Sequence, residues 1–229
     1  MPKFISVEEA VMLVPNGATV MFGGFMGCGS AHAFIDALSK CGVKDLTAIC
    51  NDAAFPGGPI GEDYYGIAKL VHNKKIKKLI TSHVGLNPEV ATQSMQDGTL
   101  EVVLVPQGSL VEMIRADGAG LGGVLTPAGV GTIVEENPLC LEKKTVNNRE
   151  YLLMTPIHAD FAIISGFSID KAGNVWYKGG TSNLNIVMAT AADIVIAEAE
   201  QVVDIGEIAP ENVRTPSVLV DYVVQGGQY

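Results

Sequence analysis

Short apolar runs and longer amphipathic stretches succeed one another along this chain, and the succession predicts alternating strands and helices. Ala18–Phe22 is a continuous apolar run, as expected of a strand buried on both faces. Leu46–Cys50, Lys78–Ser82 and Glu101–Val105 repeat that pattern. Helical stretches lie between them. Ser6 with Glu9 forms a capping box before a helix running to about Leu13. Ser30 is placed to cap a helix that reads to Lys40 and stops at Gly42. Asn87-Pro88 opens a helix that Gly98 closes, and Ser109–Arg115 is another.

The second half is patterned differently. Tyr151–Met154, Phe161–Gly166, Ile194–Ala197 and Val218–Val224 read as strands, and Asn185–Ala191 as a helix. The turn Lys171–Asn174 and the returning segment Val175–Lys178 predict a hairpin. There is no linker and no repeat of fixed period. The simplest reading is one α/β domain over residues 1–229, with a single open, mainly parallel (mixed) sheet and helices on both faces.

Composition agrees with a large core. The chain has 229 residues, 48% of them hydrophobic and 17% charged. A chain of this length buries roughly 70–75% of its unfolded surface. Mean hydropathy is +0.29, yet no apolar run is long enough to span a bilayer, so no membrane partner is expected. The net charge of −10 argues against nucleic acid. The basic stretch Lys69–Lys78 reads as a solvated helix end rather than a phosphate site. Cys28, Cys41, Cys50 and Cys140 lack CxxC spacing, and no zinc pattern joins them to the four histidines. With no apolar leader in MPKFISVEEA, a reducing cytoplasm is expected.

Candidate chemistry gathers where strands end. Gly23-Gly24-Phe25-Met26-Gly27-Cys28-Gly29 lies between a strand and a helix, an arrangement whose amides bind anions. It lacks the third glycine of the dinucleotide fingerprint, which weakens a dehydrogenase reading. A tight turn explains its glycines at least as well. Asn51-Asp52 and Gln107 end neighbouring strands, and in open parallel sheets ligands sit at those carboxyl ends. The Gln107 amide can donate to an oxygen that gains charge. A second glycine-dense region, Gly118–Gly123 and then Gly129 and Gly131, suggests close approach to a ligand, or simply a long ordered loop. No nucleophile elbow occurs, Cys28 has no obvious base, and Glu112 reads as a structural carboxylate.

These residues resemble the family I coenzyme A transferases, specifically their alpha subunits. Asn16–Phe25 with Gly29 is similar to that family's N-terminal signature, whose final proline is Ala31 here. Further matches are Asn51-Asp52, Ser82–Glu89, Val105–Leu110, Arg115–Gly120, Thr126–Thr132, Ala159-Asp160, Gly173-Asn174 and Thr215–Asp221. The series runs in order over essentially the whole chain. It implies transfer of coenzyme A between a short-chain acyl-CoA and a free acid such as acetate, butyrate or acetoacetate. It implies ping-pong chemistry through a glutamate in a Ser-Glu-Asn-Gly motif, by an anhydride and then a glutamyl-CoA thioester. That motif is absent from this sequence, so a separate beta subunit, in an alpha2beta2 assembly, is implied. Coenzyme A would be a substrate, with no resident cofactor or metal. Gln107 would stabilise the oxyanion, and Gly23, Gly24, Phe25, Gly27, Gly29, Asn51, Gly129 and Gly131 would bind substrate. Ser182 stands where many members carry an arginine. The competing reading is a non-enzymatic module of similar fold that binds a small anion or sugar phosphate.

Overall fold

The computed structural model describes residues 1–59 and 61–227. In chain order these form β1 (Lys3–Ile5), α1 (Val7–Val11), β2 (Thr19–Phe22), α2 (His32–Lys40), β3 (Leu46–Asp52), α3 (Ala68–His72) and β4 (Ile76–His83). Next come α4 (Pro88–Ala91), β5 (Glu101–Leu104), α5 (Gln107–Gly118), β6 (Val124–Thr126), β7 (Cys140–Val146) and β8 (Arg149–Met154). The chain continues through β9 (Ala159–Asp170), β10 (Val175–Trp176), α6 (Asn185–Met188), β11 (Ala192–Val203) and β12 (Tyr222–Gln225). The main sheet has the order β1-β12-β11-β9-β2-β3-β4-β5, and β10 pairs with β9. Every pairing along the path is parallel; only the β9–β10 hairpin is antiparallel.

The apolar runs follow from burial on both faces. Val20 and Phe22 of β2 join a core with Phe34 and Leu38 of α2 and Leu70 of α3. Met21, between them, joins the opposite core with Leu110 and Met113 of α5 and Met188 of α6. Both faces of a period-2 strand are thus dry, so alternation disappears from the sequence. Burying each such Leu, Met or Phe contributes ~1.5–3 kcal/mol relative to exposure.

The structure departs from the sequence-based expectations in several places. Helix α1 stops at Val11, two residues before Leu13. The helix opened by Asn87 becomes a π-helical turn over Thr92–Gln96. Tyr151–Met154 pairs outside the main sheet, in a separate antiparallel sheet of order β6-β8-β7. Strand β7 is hidden by its charge, since every residue after Cys140 in Cys140–Val146 is exposed. Its lysines are matched by Lys143–Glu135, Lys143–Glu150 and Lys144–Glu142 pairs. The signal that marks it is Asn147-Asn148. Both residues have positive φ, 49° and 60°, and they join Val146 to Arg149 as a two-residue hairpin turn.

Ser30 does not cap α2. The N-cap position is Ala31 and makes no side-chain cap bond. Glu198, buried on β11, takes that role by accepting from Ala33 N at 3.1 Å and Phe34 N at 2.8 Å. Burial pushes its carboxyl up to about 7, against the pull of those two N–H groups.

At the amino ends of the strands, His158 bridges α5 and β11. Its Nδ1 lies 2.7 Å from Asp117 and its Nε2 3.3 Å from Asp193. The hydrogen bond to Asp117 raises its pKa above the ordinary value, reinforced by Asp193 and opposed by partial burial. A raised folded pKa gives stability that is fully present below about 6.5 and lost as pH rises through the folded value. Because the ring is half exposed, the contribution should stay below ~1 kcal/mol. Urea unfolding of His158→Gln should therefore lose more stability at pH 5.5 than at pH 8.5, relative to the native chain. Equal losses at both pH values would refute the bridge's role.

Candidate active site at the carboxyl edge of the sheet

Because β2, β3, β4 and β5 are parallel, their carboxyl ends share one edge. The loop Gly23–Gly29 leaves β2 there, and its N–H at Gly23 still bonds to Ile163 O of β9 at 3.0 Å. Phe25 and Cys28 exchange backbone bonds of 3.0 and 2.9 Å, which closes a tight turn with Met26 at φ 50°. Phe25 and Met26 remain exposed, at 44% and 37%.

Close contact explains the glycines. An added Cβ would sit 1.7 Å from Asn185 Oδ1 at Gly23, 2.1 Å from Ser30 Oγ at Gly24, 2.0 Å from the Tyr65 ring at Gly27 and 2.4 Å from Thr181 O at Gly29. Ser30 Oγ, free of the capping role, donates to Gly23 O at 3.1 Å. His32 packs beneath the loop, its Nε2 2.9 Å from Gly27 O and its ring stacked on Tyr65. Burial lowers its pKa despite that carbonyl.

Two asparagines that no sequence pattern connects to the loop hold it from above. Asn183 Oδ1 accepts from Gly24 N at 3.0 Å, and its Nδ2 donates to Cys28 O at 3.0 Å. Asn185, fully buried, donates to Gly29 O at 2.9 Å and accepts from Ser165 N at 3.2 Å. Both lie more than 150 residues from the loop in sequence, so spacing gives no sign of them. The only local clue is the repeated asparagine in Asn183-Leu184-Asn185.

Asn51 and Gln107 do come together. Asn51 lies inside β3 rather than beyond its end and is only 2% exposed. Gln107 opens α5 instead of ending β5. Its Nε2 donates to Asn51 Oδ1 at 2.5 Å. Asn51 Nδ2 donates in turn to Asp52 Oδ2 at 2.8 Å. Pro106, at the N-cap of α5, offers no side-chain cap, so first-turn N–H groups and the Gln107 amide start at one point. That clustering of donors suits an oxygen that gains negative charge.

Gly129 and Gly131 form a separate turn. Gly129 packs on Val134, and Gly131 N donates to Glu135 Oε1 at 2.6 Å. That bond, then the Lys143 ammonium, holds the Glu135 carboxyl below its usual range. The turn is tied to α5 through Thr126 Oγ1, 3.3 Å from Ser109 Oγ. Glu112 pairs with Arg115 at the surface, in keeping with a structural carboxylate. The four cysteines are free thiols; burial, reinforced by Asp52, pushes Cys50 up to about 12, while Cys28 is exposed in the loop. Among the described residues no helix is long and apolar enough to cross a membrane, and no His/Cys/Asp/Glu group is spaced to hold a metal ion.

Known proteins share this sequence and fold. The coenzyme A transferase family model matches residues 4–226. A probable coenzyme A transferase subunit alpha from Bacillus subtilis is 46% identical over 226 residues, covering 97% of this chain and 93% of the relative. The acetoacetyl-CoA:acetate/butyrate CoA transferase alpha subunit of Clostridium acetobutylicum is 44% identical over 223 residues, 97% of each chain. Solved structures share the fold. An acyl-CoA transferase from Escherichia coli O157:H7, in a thioester complex with CoA, superposes with a TM-score of 0.83 at 24% identity. That match takes in 98% of this chain but 47% of the longer one. Glutaconate coenzyme A-transferase from Acidaminococcus fermentans gives 0.81 at 19% identity, over 98% of this chain and 76% of that one. A match of this length and identity displaces the reading as a non-enzymatic anion-binding module: the chain belongs to the coenzyme A transferase family.

Proposed function

We propose that the chain is an alpha-type subunit that moves coenzyme A between a short-chain acyl-CoA and a free acid of the acetate, butyrate or acetoacetate class. The observation that carries this reading is the Gln107 amide, held on Asn51 at 2.5 Å beside the glycine loop. The names of the relatives supply the acid class. An acyl thioester has a carbonyl whose oxygen becomes an oxyanion when a carboxylate attacks. The Gln107 nitrogen has two N–H groups, and one is spent on Asn51. The other can serve that oxygen. Gly23, Gly24, Phe25, Gly27, Gly29 and Asn51 would shape the acyl pocket, and Gly129 and Gly131 would bind substrate from their own turn.

The attacking carboxylate comes from a beta subunit, since no Ser-Glu-Asn-Gly occurs in this sequence. The two chains assemble as alpha2beta2 around residues 1–229 as one domain, with coenzyme A as substrate and no resident cofactor. Four free thiols suit a cytoplasmic enzyme. Covalent capture of the acyl group, with water kept out, divides one exchange into easier steps.

Reconstitution tests the proposal. The chain alone is expected to show no exchange between acetyl-CoA and butyrate. Adding a beta chain that carries Ser-Glu-Asn-Gly should restore it with parallel, ping-pong double-reciprocal lines. Full exchange by the single chain would overturn the two-subunit reading.

A further inference from the structure

Asp52 is the last residue of β3 and is 6% exposed. Among the described residues it has no ion-pair partner. Instead, three donors converge on its carboxyl group. Ala54 N reaches Oδ1 at 2.8 Å, and Met26 N and Asn51 Nδ2 each reach Oδ2 at 2.8 Å. This pattern has a directional consequence, because an amide has a donor end and an acceptor end while a carboxylate only accepts. Asn51 must turn Nδ2 toward Asp52. Its Oδ1 is then left facing the other way, where Gln107 Nε2 donates to it at 2.5 Å, while the single Ser82 hydroxyl proton goes to Asn51 O at 2.7 Å. Gln107 is thereby turned so that its nitrogen, not its carbonyl oxygen, is anchored on the Asn51 side.

We infer that Asp52 is a positioning residue that sets the polarity of the Asn51–Gln107 amide pair and locks it to the shape of the glycine loop. Were Asn51 reversed, it would present Nδ2 to Gln107, and the Gln107 amide would have to answer with its oxygen. The reacting carbonyl would then meet the amide in the wrong sense, since a second oxygen repels a forming oxyanion. The link to the loop runs through the same atom. Met26 N shares Asp52 Oδ2 with Asn51, and Met26 occupies the left-handed region at φ 50°, which a non-glycine residue adopts only when held there. One carboxylate oxygen therefore fixes both the turn at the loop's tip and the orientation of the donor across the pocket. Burial matters here, because a hydrogen bond at a dry site directs an amide more firmly than one open to water.

This inference rests on the proposed role of Gln107, and the experiment separates the two. Asp52→Asn keeps the size and leaves one oxygen where two were, so Met26 N, Ala54 N and Asn51 Nδ2 can no longer all be served. In the enzyme assembled with its beta chain, kcat is expected to fall about 10- to 100-fold with KM for acyl-CoA changed little, as when an aligned catalytic group is loosened. The decisive reading is the double-mutant cycle with Gln107→Ala. If Asp52 acts through Gln107, Asp52→Asn should cost less than about threefold once Gln107 is already alanine. A full, multiplicative loss in that background, or unchanged kcat in the folded single variant, overturns the inference. If Gln107→Ala itself leaves kcat intact, the role of Gln107 fails first, and with it the reason to orient it. Circular dichroism and co-purification with the beta chain report whether Asp52→Asn folds. Should it not fold, Asn51→Ala takes its place in the cycle, because it breaks the relay while leaving the Met26–Asp52 bond. A loss coupled to Gln107 supports the relay, and an additive loss or none overturns it.

Discussion

Replacing Gln107 by alanine is expected to lower kcat of the assembled enzyme about 10²- to 10³-fold, or roughly 3–4 kcal/mol of transition-state stabilisation, as for loss of one oxyanion donor. The ground-state thioester carbonyl is a weaker acceptor than the oxyanion, so KM should change far less than kcat. The fold should be nearly indifferent. Gln107 is exposed at the first position of α5, where a missing side chain leaves no cavity. Melting temperature should fall by only a few degrees, since the side chain removed is exposed and the fold loses one donor to the buried Asn51 Oδ1, about 1 kcal/mol. Gln107→Glu is the sharper control. It matches the size but substitutes an acceptor, and it sets a negative charge beside both Asn51 Oδ1 and the forming oxyanion. It should be at least as slow as the alanine variant. Steady-state kinetics with acetyl-CoA and butyrate, with unfolding curves for both variants, makes the check. A kcat within threefold of the native value would remove Gln107 from the chemistry.

Much of this site is legible in the order of residues along the chain, and the reason is topological. A run such as Ala18–Phe22, apolar but for Thr19, points to a strand covered on both faces, and strands alternating with helices point to a parallel sheet, which puts the carboxyl ends of its strands on one edge. The glycine loop, Asn51 and Gln107 can thus be brought together from order alone. What holds them is not legible that way. Glu198 caps α2 from 164 residues away, and Asn185 reaches Gly29 across 156. Contacts of that kind have no period and no local motif. Ser30 satisfies the local rule for a cap, yet its hydroxyl is better used on Gly23 O, and the buried carboxylate supplies the cap. Tertiary contact overrides local preference there. Strand β7 escapes notice for the opposite reason. Its face is wet, so it carries charge where a core strand carries apolar residues.

Gly23→Ala should damage the fold through one buried neighbour, Asn185, with no backbone strain of its own. The new Cβ would fall 1.7 Å from Asn185 Oδ1 and 2.6 Å from its Cγ, so Asn185 must move. It has nowhere to go, being fully buried with its amide in use at both ends. Oδ1 accepts from Ser165 N, and Nδ2 donates to Gly29 O at 2.9 Å and Thr181 O at 2.8 Å. Overpacking of a closed core costs about 1–3 kcal/mol. Buried partners left without bonds add about 1–3 kcal/mol. A total of about 3–5 kcal/mol corresponds to a melting temperature lower by ~10 °C for a chain of this length. Gly17→Ala is the comparison that isolates packing. It sits at φ +77° with nothing within 4 Å of an added Cβ, so it bears only the left-handed backbone cost of about 1–2 kcal/mol. Gly23 has no such backbone penalty, so all of its loss must come from Asn185. If Asn185→Ala in the same chain makes room for the methyl, the Gly23→Ala penalty should shrink in that background. A loss at Gly23 no larger than at Gly17, or one that Asn185→Ala leaves unchanged, would mean that the glycine loop is not latched by that amide.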